Sequence, residues 1–292
     1  MKNIFIVFIA TALLASCGEP ATPVAPQTVV TGVISNPEGN TVWLENYKSE
    51  KIVIDTLNDK GEFELKVTLG EPSCYEIVNG KSRSYLCLAP ADTLSVSFDA
   101  TKTIETIAYS GKSSAFNKYL IEKKRNTDKL MTEQFDSLYY ESTDTFLINA
   151  EVLFSAITAP FNAIKTDTNI NKLLITKEEE ALKYEKAALL LDFKYYHKLM
   201  TNDTIVNVDK ILALTKDVNP NKALDLELKS YRNFLKSYIN FHAESALVAD
   251  TALRSQPNGT DKAIQSTIDK MITDPAVKEY LNVKLKAEQP AF

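Results

Sequence analysis

The side chains best suited to chemistry in this chain of 292 residues are three thiols, two imidazoles and one dense carboxylate run. A cysteine attacks or ligates as its thiolate, and such sites are read from CxxC pairs or His/Cys spacings. Cys74 and Cys87 form neither, so the expectation for them is structural: a disulfide between them, or two small buried residues. Cys17 stands apart, directly after the small residues Ala15 and Ser16. His197 and His242 have the range of a general base. A hydrolase built on either needs a nucleophile or carboxylate beside it, and each closes an aromatic helical stripe, so a structural role is expected for both. Glu178-Glu179-Glu180 is expected at a helix start, where negative charge suits the dipole. Tyr139-Tyr140, Tyr195-Tyr196 and Trp43 could present aromatic surface to a glycan or peptide. Phosphate-binding loops, nucleophile elbows, dinucleotide fingerprints and zinc-protease helices are missing from the sequence. No catalytic residue, metal or cofactor is therefore expected.

The elements that must position these groups begin with an export signal. Met1-Lys2-Asn3 carries positive charge, and the apolar run Ile4 to Ala15 is too short to span a bilayer, which takes roughly 20 residues. Leu14-Ala15-Ser16-Cys17 resembles the lipobox cut by the lipoprotein signal peptidase. The resemblance implies a signal peptide over 1–16, a diacylglycerol and further acyl chain on Cys17, and attachment to a membrane of the cell envelope, facing the periplasm. Residues 17–27 hold Pro20, Pro23 and Pro26 among small residues, the composition of a semi-rigid linker. The remaining 276 residues carry 32 basic against 38 acidic side chains, mixed throughout. Nucleic acid is excluded as a partner by that balance. The one basic cluster, Glu122-Lys123-Lys124-Arg125, reads as a solvated helix face.

Seven of eight glycines lie at or before Gly111, and the chain changes character there. Before it, alternating runs rich in Val, Ile, Thr, Tyr and Phe predict eight strands: Thr28 to Ser35, Thr41 to Tyr47, Lys51 to Thr56, Glu62 to Thr68, Cys74 to Val78, Ser84 to Leu88, Leu94 to Phe98 and Thr106 to Tyr109. They predict an antiparallel β-sandwich or barrel over 28–111. Around Gly80 two hairpins compete. A Gly80-Lys81 loop sets Cys74 opposite Cys87, whereas an Asn79-Gly80 type I′ turn sets Cys74 opposite Tyr85.

Beyond it, spacings of three and four predict an α-helical bundle over 112–292, and so an α+β fold. Five or six helices are expected: Ser113 to Asn126; Leu147 to Ile164 with a kink or break at Pro160; a long helix opened by the capping box Thr176-Lys177-Glu178-Glu179; Leu224 to Leu253; and a last one begun by Asp274-Pro275.

Several phrases in the strand region form a set: Gly32-Val33-Ile34 before Pro37-Glu38-Gly39, Val42-Trp43-Leu44, Ile54-Asp55-Thr56, Asp59-Lys60-Gly61-Glu62-Phe63, Leu88 to Leu94, and Ser110-Gly111-Lys112-Ser113. The set resembles the β-domain of TlpA-like thiol-disulfide oxidoreductase lipoproteins over residues 17 to about 125. In that family a helical region and a thioredoxin module with a CxxC follow. The final Pro290-Ala291-Phe292 resembles the phrase that opens that module, which is missing from this sequence, so none of the family's catalytic residues has a counterpart here. The resemblance implies a non-catalytic accessory or recognition region of such a system, or a truncated form of the oxidoreductase. A lipoprotein that binds a glycan or peptide is the alternative of another class, with an envelope protein or glycan as partner.

Overall fold

The computed structural model describes residues 26–203 and 206–288. Cys17 and the signal peptide lie outside the described residues. The chain is α+β: β-strands come first and helices follow.

The strands are β1 (Thr28–Ser35), β2 (Thr41–Glu45), β3 (Lys51–Thr56), β4 (Glu62–Val67), β5 (Ser73–Asn79), β6 (Ser82–Leu88), β7 (Thr93–Asp99) and β8 (Ala108–Gly111), with a short helix α1 (Thr103–Thr106) before the last. They form two sheets of four, ordered β4-β1-β7-β8 and β3-β2-β5-β6. The β3–β4 hairpin passes from one sheet to the other, and Asp55 Oδ2 accepts the Glu64 N–H at 2.7 Å across it. Alternating residues point between the sheets: Val30, Ile34, Leu65, Leu94 and Val96 from one, Val42, Leu44, Ile77 and Leu86 from the other. Each contributes about 1.5–3 kcal/mol through burial. One pairing departs from an all-antiparallel expectation: β1 runs parallel to β7, because the chain crosses to the other sheet between them. Gly32 sits at their centre, where a Cβ would meet the Val96 carbonyl oxygen at 1.8 Å and the Phe63 ring, so only glycine fits.

The β5–β6 hairpin takes the register in which Cys74 opposes Cys87, with Asn79 opposite Ser82 and Gly80 at positive φ in the loop. Asn79 stays out of the turn because its buried amide is used elsewhere. It accepts the Glu38 N–H at 2.8 Å and donates to the carbonyls of Gly39 and Thr41, both at 2.9 Å. Those bonds tie this hairpin to the β1–β2 connection.

The helices are α2 (Ser114–Tyr139), α3 (Thr143–Ile164), α4 (Lys172–Thr201), α5 (Val208–Thr215), α6 (Lys229–Ala249), α7 (Thr251–Arg254), α8 (Gly259–Met271) and α9 (Pro275–Glu288). Among the described residues seven helices of eight residues or more thus replace the expected five or six, since α5 and α8 are separate elements. Three boundaries differ for identifiable reasons. Helix α3 runs unbroken through Pro160. The carbonyl that proline leaves without its usual donor, that of Ala156, receives the Asn126 amide at 3.3 Å. Helix α4 opens at Asn171, whose Oδ1 accepts the Leu173 N–H at 2.9 Å, so Thr176 lies within the helix and caps nothing. Helix α6 starts only at Lys229, after a 3-10 turn over Ala223–Glu227. At α9 the expected cap is present: Asp274 Oδ1 accepts the N–H groups of Ala276 and Val277.

The strand and helical regions share a core. Phe116, Tyr119 and Leu120 of α2 pack with Cys74, Cys87, Phe161, Leu174 and Leu182. Asn117 closes the outer edge of β6: its Oδ1 accepts the Cys87 N–H and its Nδ2 donates to the Cys87 carbonyl, both at 2.8 Å. Arg125 donates to the carbonyls of Ile104, Glu105 and Ile107 around the end of α1. Lys123 and Arg125 are therefore structural and do not belong to a solvated face.

Candidate functional site

Helix α4 is the spine of the site. Along it Leu174, Glu178, Ala181, Glu185, Ala188, Asp192, Tyr195 and Leu199 recur at spacings of three and four, so they share one stripe. The stripe alternates apolar or small residues with carboxylates, which return every seven residues. It lines a cleft of about 1160 Å³ whose other walls are α2, α6 and the β5–β6 hairpin, with Phe154 and Ile157 of α3 and Thr260 and Ile264 of α8 completing it.

Its two long walls differ. On the α2 side stand Phe116, Leu120, Ile121, Met131 and Phe135, interrupted by Lys123, Lys124 and Thr127. The α6 side carries Ser230, Asn233, Ser237, Asn240 and Glu244, a polar row also at helical spacing. Of the apolar residues of α6, Tyr231, Phe234, Leu235 and Ile239 turn into the bundle core, whereas Phe241, Ala243 and Leu247 border the cleft.

Two charged clusters sit on the α4 stripe. Lys123 Nζ lies 2.7 Å from Glu178 Oε1 and 2.7 Å from Glu185 Oε1, and Tyr119 donates its hydroxyl to Glu178 at 2.6 Å. Burial alone would pull Lys123 down, but the Glu185 and Glu178 carboxylates outweigh it and raise its pKa, holding it protonated. Burial also pushes Glu178 above the usual carboxylate range, against the opposing pull of Lys123. The Tyr119 phenol is raised by burial and then by Glu178, and it stays neutral. Two turns further along, burial pushes Asp192 up to about 6, opposed by the Ser237 hydrogen bond and the charge of Lys236. Near it Phe135, Tyr139 and Tyr196 pack ring on ring, with centroids 4.8–5.1 Å apart.

The groups singled out in the sequence scatter. Cys74 and Cys87 are joined as a cross-strand disulfide, Cα atoms 4.0 Å apart, at the β end of the cleft. Both are buried, and the outward N–H and C=O of Cys87 belong to Asn117, so the pair has the close approach of a non-hydrogen-bonded position. His197 is buried, its Nδ1 2.8 Å from the Tyr139 carbonyl oxygen and its ring against Phe193. His242 packs on Tyr238 and Phe241, and burial followed by Lys194 lowers its pKa. Neither histidine lines the cleft. Trp43 lies on β2, its indole N–H on Glu45 and Lys51 over its ring, also away from the cleft. Tyr139, Tyr195 and Tyr196 line it, whereas Tyr140 points to solvent. Glu178 is not at the first turn of α4 as expected, because the helix starts six residues earlier and carries it into the interior. Glu185, Asp192, Lys123 and the polar row of α6 are the cleft residues that sequence reasoning missed. Their signal was the seven-residue recurrence of carboxylates within an otherwise apolar stripe.

Among the described residues no group of three or more His, Cys, Asp or Glu side chains is placed to hold a metal ion. Comparison with protein-family models, curated proteins and solved structures found no match. The cleft thus offers one mainly apolar and one hydrogen-bonding side. Its volume slightly exceeds the 300–1,000 Å³ usual for a small-molecule pocket.

Proposed function

We propose that this chain is the non-catalytic recognition region of a cell-envelope lipoprotein, anchored through Cys17 and allied to TlpA-like thiol-disulfide systems. It holds an amphipathic peptide segment in the cleft between α2, α4 and α6. The contrast between the cleft walls carries this reading: the mainly apolar α2 side faces the polar row of α6 across a floor where Lys123 is paired with both Glu178 and Glu185. A peptide with apolar residues on one side and polar ones on the other matches both walls. The lipobox and the strand phrases support the anchor and the alliance.

The test uses a fluorescent amphipathic peptide with apolar residues at every third or fourth position, titrated into the purified chain. Saturable binding is expected. Asn233→Trp, at an exposed residue of the polar wall, should weaken it at least about tenfold, a loss of ~1.4 kcal/mol, without moving the melting temperature. Non-saturating binding, or equal binding by the variant, overturns the reading. Saturable binding of an oligosaccharide in its place transfers the site to a glycan, and reduction of a disulfide substrate by the pure chain removes the non-catalytic assignment.

A further inference from the structure

Helix α3 is long and apolar enough to cross a membrane by length and composition, yet only 22% of its apolar window is buried. Its inner face, Phe146, Ala150, Leu153, Ile157 and Phe161, packs into the protein. The helix is therefore fixed along the molecule and cannot span a bilayer. Its outer face is apolar as well. Ile148 is 67% exposed and Val152 68% exposed, and Ser155, Ala156, Ala159 and Ala163 continue the same stripe with no charge among them. Over the 16 residues from Ile148 to Ala163 the stripe is about 22 Å long. The nearest acids flank it: Glu151 is paired with Lys186 at 2.5 Å, and Asp144 with Lys210.

Where the chain enters the fold says what covers this face. Thr28 donates its hydroxyl to the Ala89 carbonyl and the Val29 N–H bonds the Asp92 carbonyl, both at 2.9 Å. Ala89 and Asp92 border a small hollow whose far wall is Thr168 to Asn171, the connection that ends α3. The entry point thus lies beside the carboxy-terminal end of the apolar stripe. From Cys17 to Pro26 the chain reaches at most about 30 Å, at ~3.3–3.6 Å per residue. A lipid on Cys17 keeps that end of α3 close to the bilayer.

We infer that the outer face of α3 lies in the membrane interface, with Ile148 and Val152 seated among the upper acyl chains and Lys165 at the headgroups. A helix in this position sinks about 5–10 Å below the headgroup boundary. The inference rests on the anchored reading above, and it fixes how the protein stands: with α3 down.

The experiment places a tryptophan at the stripe. The full-length chain carrying V152W and W43F, which leaves a single indole, is expressed in a cell with lipoprotein-processing enzymes, purified as that cell processes it and reconstituted into phosphatidylcholine vesicles brominated high in the acyl chains. A second chain carrying L224W and W43F, with the probe at a residue 91% exposed between α5 and α6, is the reference. Loss of about half the emission of the V152W chain, with little change in the L224W chain, is the expected result for a helix at that depth. Equal quenching of both chains marks general proximity and overturns the inference. An unquenched V152W chain that stays with the vesicles overturns it while leaving the anchor standing. An unquenched V152W chain that washes off, with Cys17 unmodified by mass, removes the inference and the anchor together. A dimer abolished by V152E gives the face to a second copy and overturns it too.

Discussion

The strand region and the helical region solve the burial of charge differently. Between the two sheets apolar side chains meet with a few buried hydroxyls and one amide, Thr28, Ser82, Ser84 and Asn79, and among the described residues the one buried acid of that half, Asp92, lies in the turn from β6 to β7. In the helical half Lys123 and Glu178 are buried within their helices, with a second carboxylate and a tyrosine hydroxyl around them. A sandwich core is closed by alternation alone. The cleft is lined by groups that fit only when their partners on another helix are present. Such a network contributes little net stability against an apolar replacement, while the loss of one member leaves a bare charge. The sandwich is thus built to be filled and the helical half to be kept open.

The sharpest way to break that comparison is Lys123→Met. With the ammonium gone, Glu178 is buried without a counter-ion, and a loss of about 3–5 kcal/mol is expected in chemical denaturation. The double variant K123M/E178Q should recover most of it. If the single variant is as stable as the parent, the network is ornamental and the contrast between the halves disappears.

Asn117→Ala probes the seam. It leaves the Cys87 N–H and C=O unpaired in a buried place, so a loss of about 2–4 kcal/mol is expected, at ~1–3 kcal/mol for each orphaned group. Hydrogen exchange at the Cys87 amide should accelerate with it, and an unchanged exchange rate would show that the edge is closed by other means.

The smallest effect belongs to Asp192. Its carboxyl binds a proton more tightly in the folded protein, at about 6, than at its ordinary 3.8. The stabilisation is complete below about pH 4, falls as the pH rises and is lost beyond about 6. Asp192→Asn should match the parent in acid and exceed it at neutral pH by up to about 2 kcal/mol, discounted for partial solvent access. Parallel stability profiles for parent and variant between pH 4 and 7 would put Asp192 in contact with water and out of the cleft wall.

These features were unequally legible in the sequence. The strands could be read from their β-branched and aromatic runs between turn residues, most clearly where one face alone is buried, as in Glu62–Val67 residue by residue. The hairpin register could not, because Gly80 accepts either loop and the choice is made by Asn79 bonding a connection some 40 residues earlier. In the helical half the recurrence of Glu178, Glu185 and Asp192 was in plain view, but an acid every second turn is also what a solvated helix shows. Only the approach of Lys123 and Tyr119 from α2 gives it meaning. Likewise the row Ser230, Asn233, Ser237 and Asn240 reads as a surface face until α4 stands opposite it.

The amide of Asn117 has one more consequence. Exposed sheet margins are where proteins are colonised by foreign strands, the route to domain swapping and fibril growth. Here the β3–β4 hairpin folds one margin over, and the short β8 is followed at once by α2. The remaining margin, β6, is occupied by a single side chain that imitates a neighbouring strand at Cys87. Asn117 thus leaves the outward N–H and C=O of Cys87 with no free valence for a foreign strand to pair with.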